Sequence, residues 1–304
     1  NSAIAPPIVH LSRALELDQL GLSVRDVRRM TEDVRRDGKE NPQVLKEATP
    51  TAISVKGAWI SYGSHPALKN VDALVMEGEI VALMGRNGAG KSSLLQSIVG
   101  VKELDRGEIS VCAHPPMSLK GALRRATVGY IPQEPSDLLY AQSVTQECSQ
   151  ADKDNGIASG TTFALLQELV PSVSPATHPR DLSEGQRLAL ALAVVLSAQP
   201  RALILDEPTR GLDYQSKSLL IEILQGFAAQ PGKSVVIATH DVELVAELAD
   251  RVIFLSEGEV VADGPTLDIL LASPAFAPQV AKVMAPRRWL TVNDVMRALD
   301  QEVD

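Results

Sequence analysis

Two short stretches of this 304-residue sequence hold the residue types that phosphoryl chemistry requires. Gly85-Arg86-Asn87-Gly88-Ala89-Gly90-Lys91-Ser92 fits G-x-x-x-x-G-K-[ST], directly after the apolar run from Ile80 to Met84 and before a helical pattern at Leu94, Leu95 and Ile98. Glycines there let backbone N–H groups wrap a β-phosphate. Lys91 adds a positive charge on the β- and γ-phosphates, the Ser92 hydroxyl is a ligand for Mg²⁺, and Ser93 follows in the same helix start, whose positive end favours an anion. The second stretch is Ala202-Leu203-Ile204-Leu205-Asp206-Glu207, four apolar residues and then two acids. A buried strand that delivers carboxylates at its C-terminal end suits an open α/β sheet, where ligands bind at that edge. Asp206 is placed to hold Mg²⁺ through water, and Glu207 to orient or deprotonate an attacking water. Alone, such a strand is as often structural; the phosphate loop upstream gives its acids a use.

These residues need a scaffold, and the hydrophobic pattern supplies one. Ile53/Val55 and Val71/Ala73/Val75 alternate as half-buried strands do. Further apolar strands are predicted at Ala202 to Leu205, Ser234 to Ala238 and Arg251 to Leu255. Helical patterns such as Leu219, Leu220, Ile223, Leu224 and Phe227 separate them. Strands alternating with helices predict an α/β fold with a mainly parallel sheet. The regularity lapses after Gly129, where a mostly helical insertion is expected over about 134–198, with one helix at Thr161 to Val170. Residues 1–50 are polar, contain Pro6, Pro7, Pro42 and Pro50, and read as tail and linker. A compact domain is expected over 51–265, and a helical tail over 266–304.

One repeat links the two ends. Ala5-Pro6-Pro7-Ile8-Val9, followed by Leu22-Ser23-Val24-Arg25-Asp26-Val27, matches Ala277-Pro278-Gln279-Val280-Ala281, followed by Leu290-Thr291-Val292-Asn293-Asp294-Val295. In each copy a Ser or Thr precedes an Asp by three residues, a variant of the capping box, with Leu22/Val27 and Leu290/Val295 available as staples. Two ordinary capped helices would carry the same signal. The alternative is a duplicated unit, with the first copy the tail of a preceding, similar domain on a longer polypeptide.

Composition narrows the function. With 29 Lys and Arg against 38 Asp and Glu, the formal charge is −9, the wrong sign for gripping phosphodiester backbones. Four Phe, two Trp and four Tyr leave few platforms for base stacking. Leu188 to Ala198, the longest apolar stretch, is about half of the roughly 20 residues that span a bilayer. Cys112 and Cys148 are too few and isolated for a disulfide framework, which fits a reducing cytosol.

Leu182-Ser183-Glu184-Gly185-Gln186 precedes Arg187 and a long apolar helix, 20 residues or so before the acid-ended strand. With it the chain resembles the nucleotide-binding domain of ABC transporters, whose signature is usually Leu-Ser-Gly-Gly-Gln; Glu184 stands at the third position. Other family elements follow in order across about residues 52–265. Tyr62 resembles the aromatic that stacks on adenine, Gln133 the Q-loop glutamine that also reaches Mg²⁺, Gly211-Leu212-Asp213 the D-loop, and His240 the switch histidine near the γ-phosphate. The resemblance implies a P-loop NTPase core with an antiparallel β subdomain and the helical insertion, ATP and Mg²⁺ as ligands, and Glu207, His240, Lys91 and Gln133 as catalytic residues. It also implies a second ABC domain, in the same polypeptide or a second copy. Two such domains meet head to tail, so that Ser183, Gly185, Gln186 and Asp213 would serve the partner's ATP.

Asp206-Glu207-Pro208-Thr209-Arg210-Gly211-Leu212-Asp213-Tyr214 is more similar to the ATPases of energy-coupling factor importers than to the family average. Those take up vitamins, vitamin precursors, or cobalt and nickel ions, and a tandem fused form occurs among them. This resemblance implies a transmembrane coupling subunit, a substrate-binding membrane protein, no nucleic acid, and a cytoplasmic location on the inner face of the membrane. The rival is a soluble tandem ABC ATPase of translation, for which the basic run Arg25, Arg28, Arg29, Arg35, Arg36 and Lys39 would meet RNA. Asp26, Glu32, Asp33, Asp37 and Glu40 interrupt that run, as on a solvated helix face.

Overall fold

Alternate residues of the apolar strands face opposite layers, and this decides the architecture. The computed structural model describes residues 6–17, 21, 23–39 and 49–300. Three helices come first: α1 (Pro7–Ala14), α2 (Val24–Met30) and α3 (Glu32–Asp37). Next, β1 (Thr51–Tyr62), β2 (His65–Met76), β3 (Ile80–Met84), α4 (Lys91–Ile98) and β4 (Arg106–Val111) build the phosphate-loop half. Then α5 (Gly121–Thr127) and β5 (Val128–Ile131) lead into the insertion, α6 (Val144–Asn155), α7 (Thr161–Leu169) and α8 (Glu184–Leu196). After it come β6 (Ala202–Asp206), α9 (Tyr214–Ala228), β7 (Ser234–Ala238), α10 (Val242–Leu248), β8 (Arg251–Ser256) and β9 (Glu259–Pro265). The chain closes with α11 (Thr266–Leu271), α12 (Gln279–Met284) and α13 (Val292–Asp300).

β2-β1-β4 form a three-stranded antiparallel sheet, and β5-β6-β7-β3-β8-β9 a six-stranded one, parallel except for β9. Ala202, Ile204, Val236 and Ala238 pack with Leu94, Leu95 and Ile98 of α4 and with the small sheet. Their neighbours Leu203, Leu205, Val235 and Ile237 pack on Leu188, Leu192, Leu220, Leu224 and Phe227 of α8 and α9. Both faces of β6 and β7 are covered, as expected of continuous apolar strands in a parallel sheet. Fully burying one such aliphatic side chain contributes about 1.5–3 kcal/mol.

The described residues of 7–38 form helices that pack against the other end of the chain. Their apolar side chains are few but share one side: Ile8, Leu11 and Val27 are buried against Val280, Val283, Met284 and Val295. The side-chain cap forms in both copies, with the Asp26 N–H donating to Ser23 Oγ at 3.2 Å and the Asp294 N–H to Thr291 Oγ1 at 3.1 Å, and in the second copy the Thr291 N–H donates to Asp294 Oδ2 at 3.0 Å, which completes the box. Leu290 lies against the ATPase core with Ala82 and Met84, whereas Val295 faces the helical cluster, so the two belong to different clusters. Leu22 and Pro42 lie outside the described residues.

Candidate functional site

Strand order brings the chemistry together. β6, β7 and β3 are parallel neighbours, with Asp206 opposite Ala238 and Leu83 also opposite Ala238. The phosphate loop after β3, Glu207 after β6 and His240 after β7 therefore leave the sheet along one edge.

The loop glycines adopt positive φ, 147° at Gly85, 82° at Gly88 and 104° at Gly90. At two of them the backbone also needs the missing side chain. A Cβ on Gly85 would lie 2.2 Å from the Leu255 carbonyl oxygen, and one on Gly90 2.4 Å from that of Ala67. Arg86, Asn87 and Gly88 are exposed at the tip and Ala89 is buried beneath it. Lys91, 6% exposed, donates from Nζ to the carbonyl oxygens of Gly85 at 2.8 Å and Arg86 at 3.3 Å. Its ammonium is thus held over the loop, 4.0 Å from Glu207 Oε1.

Glu207 is a non-glycine residue at φ +47°, in the left-handed region where strain collects at functional sites. Its N–H donates to the Ala238 carbonyl at 2.8 Å, which fixes the turn. The other carboxylate oxygen, Oε2, lies 2.8 Å from His240 Nδ1. Lys91, Glu207 and His240 therefore form one continuous polar chain. Gln133 is exposed and lines a cavity of about 210 Å³ together with Glu207, Glu134 and Arg210.

Asp206 tests the fit of a divalent cation. Its carboxylate is buried, and Oδ1 has no hydrogen-bond partner. Burial pushes its pKa up; the Ser92 hydroxyl's hydrogen bond opposes that, the Glu207 charge adds to it, and Lys91 opposes it. An orphaned carboxylate oxygen beside a serine hydroxyl is a donor set for a hard cation such as Mg²⁺. The same geometry predicts a trade-off. With the folded-state pKa above the unfolded one, ionisation costs stability as the pH rises past the carboxylate range. Asp206→Asn should raise the melting temperature of the nucleotide-free protein near neutrality by about 2 °C, a gain that fades toward pH 4, while Mg²⁺-dependent hydrolysis is lost. A lower melting temperature at pH 7, by calorimetry, would contradict the orphaned charge.

The remaining expected site residues serve structural roles as well. Ser183 caps α8: its Oγ accepts the Gln186 N–H at 3.3 Å, and Gln186 Oε1 accepts the Ser183 N–H at 3.1 Å. A Cβ at Gly185 would come within 2.3 Å of Ser216 Oγ, so glycine lets α8 meet α9 closely. Asp213 caps α9 through the Ser216 N–H at 2.8 Å, which also lowers its pKa. Tyr62 is half-exposed, 3.4 Å from Ser93 Oγ through its hydroxyl.

Three features carry no local sequence signal. Lys102 Nζ sits 4.9 Å from the centre of the Tyr62 ring, so it covers one face. Arg210, just before Gly211, bonds Glu134 beside Gln133 at 2.8 Å. Lys217 of α9 bonds Asp241 at 2.6 Å; burial alone would raise that carboxyl, but Lys217 and the Leu244 N–H hold it below the usual range. In each case the partners lie tens of residues apart and meet only through the fold.

The sequence model of the family described as ABC transporter matches residues 68–210. The energy-coupling factor transporter ATP-binding protein of Methanospirillum hungatei is 30% identical over 211 residues, 68% of this chain and 76% of its own length. The chain belongs to the ABC transporter family. As an ABC cassette it is an ATP-binding ATPase domain. A protein named as an ABC transporter ATP-binding protein in Streptomyces coelicolor is 48% identical over 98% of this chain, and the chain spans 58% of that relative's length. Among solved structures, cbiO1 from Clostridium perfringens, part of the ABC transporter complex cbiONQ, superposes with a TM-score of 0.64 at 26% identity. That superposition covers 84% of this chain and all of cbiO1.

Proposed function

We propose that this ABC domain powers an importer of the energy-coupling factor type, taking up a micronutrient such as a vitamin, a vitamin precursor, or cobalt or nickel ions. It works with a second ABC domain, a transmembrane coupling subunit and a substrate-binding membrane protein, on the cytoplasmic face of the membrane. Similarity to the Methanospirillum protein and to cbiO1 supports this branch. Residues 51–265 are the ATPase domain, with its helical subdomain at 134–198. Residues 1–50 are the tail of a preceding similar domain plus a linker, and 266–304 are this domain's own helical tail. The Streptomyces relative is longer than this chain, which spans 58% of it, a length compatible with the tandem arrangement.

One observation carries the paired mechanism. Ser183, Gly185 and Gln186 line a groove of about 380 Å³ beside α9, and none of Lys91, Ser92, Asp206 or Glu207 lines it. Three signature residues thus line a surface apart from their own phosphate loop, while Glu184 lines the cavity of Gln133 and Glu207. ATP brings about four negative charges, more than one lysine neutralises, so a partner's helix end and serine complete the site and make pairing ATP-dependent. Mg²⁺, held by Ser92, Asp206 and Gln133, would neutralise phosphate charge. Glu207 positions water, His240 holds Glu207 and meets the γ-phosphate, and Tyr62 takes the adenine on the face opposite Lys102. Gln133 then relays phosphate occupancy to the following segment, where Tyr140, 81% exposed, faces the coupling subunit.

Ser183→Arg is the test. ATP affinity of the monomer should stay within about twofold, while hydrolysis falls by at least tenfold, because the residue acts on the partner's nucleotide. Nucleotide titration beside phosphate release decides it, and a matching drop in monomer affinity overturns the head-to-tail reading. Half of the translation rival's basic run is engaged within the helical unit, and Arg25 and Arg29 stay exposed. Arg28 and Arg35 donate to backbone carbonyls, and Arg36 pairs with Asp33 at 2.9 Å and Asp37 at 2.8 Å.

A further inference from the structure

Tyr62 is the last residue of β1, and the turn Gly63-Ser64 brings the chain straight back into β2, with Tyr62 opposite His65. A ring 49% exposed at such a corner would otherwise turn freely about its side-chain bonds. Two groups at the ends of α4 restrain it. Ser93, in the first turn, has its Oγ 3.4 Å from the Tyr62 hydroxyl, and Lys102, just past the last turn, has Nζ 4.9 Å from the ring centre. One helix thus holds the ring by its hydroxyl edge and by one face.

The way α4 ends is what places Lys102. Gly100 takes the left-handed conformation, φ 70°; its N–H donates to the Ser97 carbonyl at 3.1 Å and that of Val101 to the Gln96 carbonyl at 2.8 Å, a Schellman closure. A Cβ on Gly100 would lie 2.6 Å from the Pro116 carbonyl oxygen, so the turn requires glycine. The Lys102 N–H also donates to Gln96, at 3.1 Å, and three residues on the Asp105 N–H donates to the Trp59 carbonyl at 2.8 Å, in the strand that carries Tyr62. Backbone bonds therefore fix the lysine from both sides. Among the described residues no carboxylate lies within ion-pair distance of Lys102, so the ring face is what its ammonium meets. The negative face of an aromatic ring attracts such a cation.

α4 has 8 residues, about 12 Å at roughly 1.5 Å per residue. Its start belongs to the phosphate loop, and the turn after its end steers an aromatic. We propose that Lys102 is a positioning residue for the base of the nucleotide: it sets the plane of Tyr62 before ligand arrives, and so raises affinity for a nucleoside triphosphate without touching the phosphates. A ring already ordered loses less freedom when a base stacks on it. A cation on one face also draws electron density from the ring, which favours an electron-rich purine on the other. The proposal rests on the reading of Tyr62 as the adenine platform.

The probes are ATP and inorganic tripolyphosphate, which shares the phosphate chain and lacks the base. Calorimetric titration of the full chain in about 0.15 M salt suits both, because the screening length of about 8 Å is then shorter than α4. Lys102→Met should weaken ATP binding about three- to fivefold and leave tripolyphosphate binding unchanged, and Lys102→Arg should restore ATP. In a Tyr62→Leu background, Lys102→Met should have no further effect. Equal weakening of both ligands would make Lys102 a phosphate contact, and tighter ATP binding would mean that the lysine blocks the ring; either overturns the proposal. If Tyr62→Leu by itself leaves the preference for ATP over tripolyphosphate intact, the platform reading fails and the proposal falls with it. A strong Tyr62→Leu effect beside a silent Lys102→Met overturns the proposal alone.

Discussion

Glu207→Gln is expected to reduce ATP turnover by about 10²–10³-fold, equivalent to roughly 3–4 kcal/mol of transition-state stabilisation, while ATP binding is retained. The carboxylate is 12% exposed, held by a backbone turn at positive φ, and bonded to His240 Nδ1 at 2.8 Å. The amide has the same shape and can keep one contact to His240, but it neither draws a proton from water nor balances Lys91. Phosphoryl transfer asks an enzyme for positioning and charge placement, and the substitution removes the charge while leaving the position. Hydrolysis would stop before the step that separates two domains. The variant should therefore elute as a dimer in ATP and as a monomer without it. Normal phosphate release by Glu207→Gln would remove the residue from this role.

Lys91→Ala is expected to weaken nucleotide binding by about 10–100-fold, or roughly 1.4–2.8 kcal/mol. The Lys91 ammonium is already buried over the loop through the Gly85 and Arg86 carbonyls, so its place above the phosphates is prepared before the ligand arrives. Its removal takes away the one buried cation beside Asp206 and Glu207 among the described residues and leaves a negative pocket to receive a polyanion. Titration with a fluorescent ATP analogue measures the loss. Together the two variants separate binding from chemistry: one should retain nucleotide and fail to cut it, the other should fail to hold it. An unchanged affinity would contradict the assignment of the phosphate loop.

The motifs were legible because each is local. A glycine-rich loop between a strand and a helix, acids after an apolar strand, and Ser183 three residues before Gln186 are all constrained by backbone geometry within a few residues. The helix and strand spacing predicted α7 from Thr161, and the structure begins it there. The polar N-terminal stretch was less legible. Its amphipathic helices bury few side chains, and the surface they bury against comes from the other end of the chain.

By itself the sequence determined the chemistry on offer: which residues wrap phosphate, which carry charge, and which strands and helices hold them. Only the tertiary structure decided that Lys91, Glu207 and His240 meet in one polar chain, and that Trp289 closes on Gly38. Those contacts join residues far apart along the chain. Their distances follow from the order of strands in a sheet and the packing of helices, which no local spacing encodes.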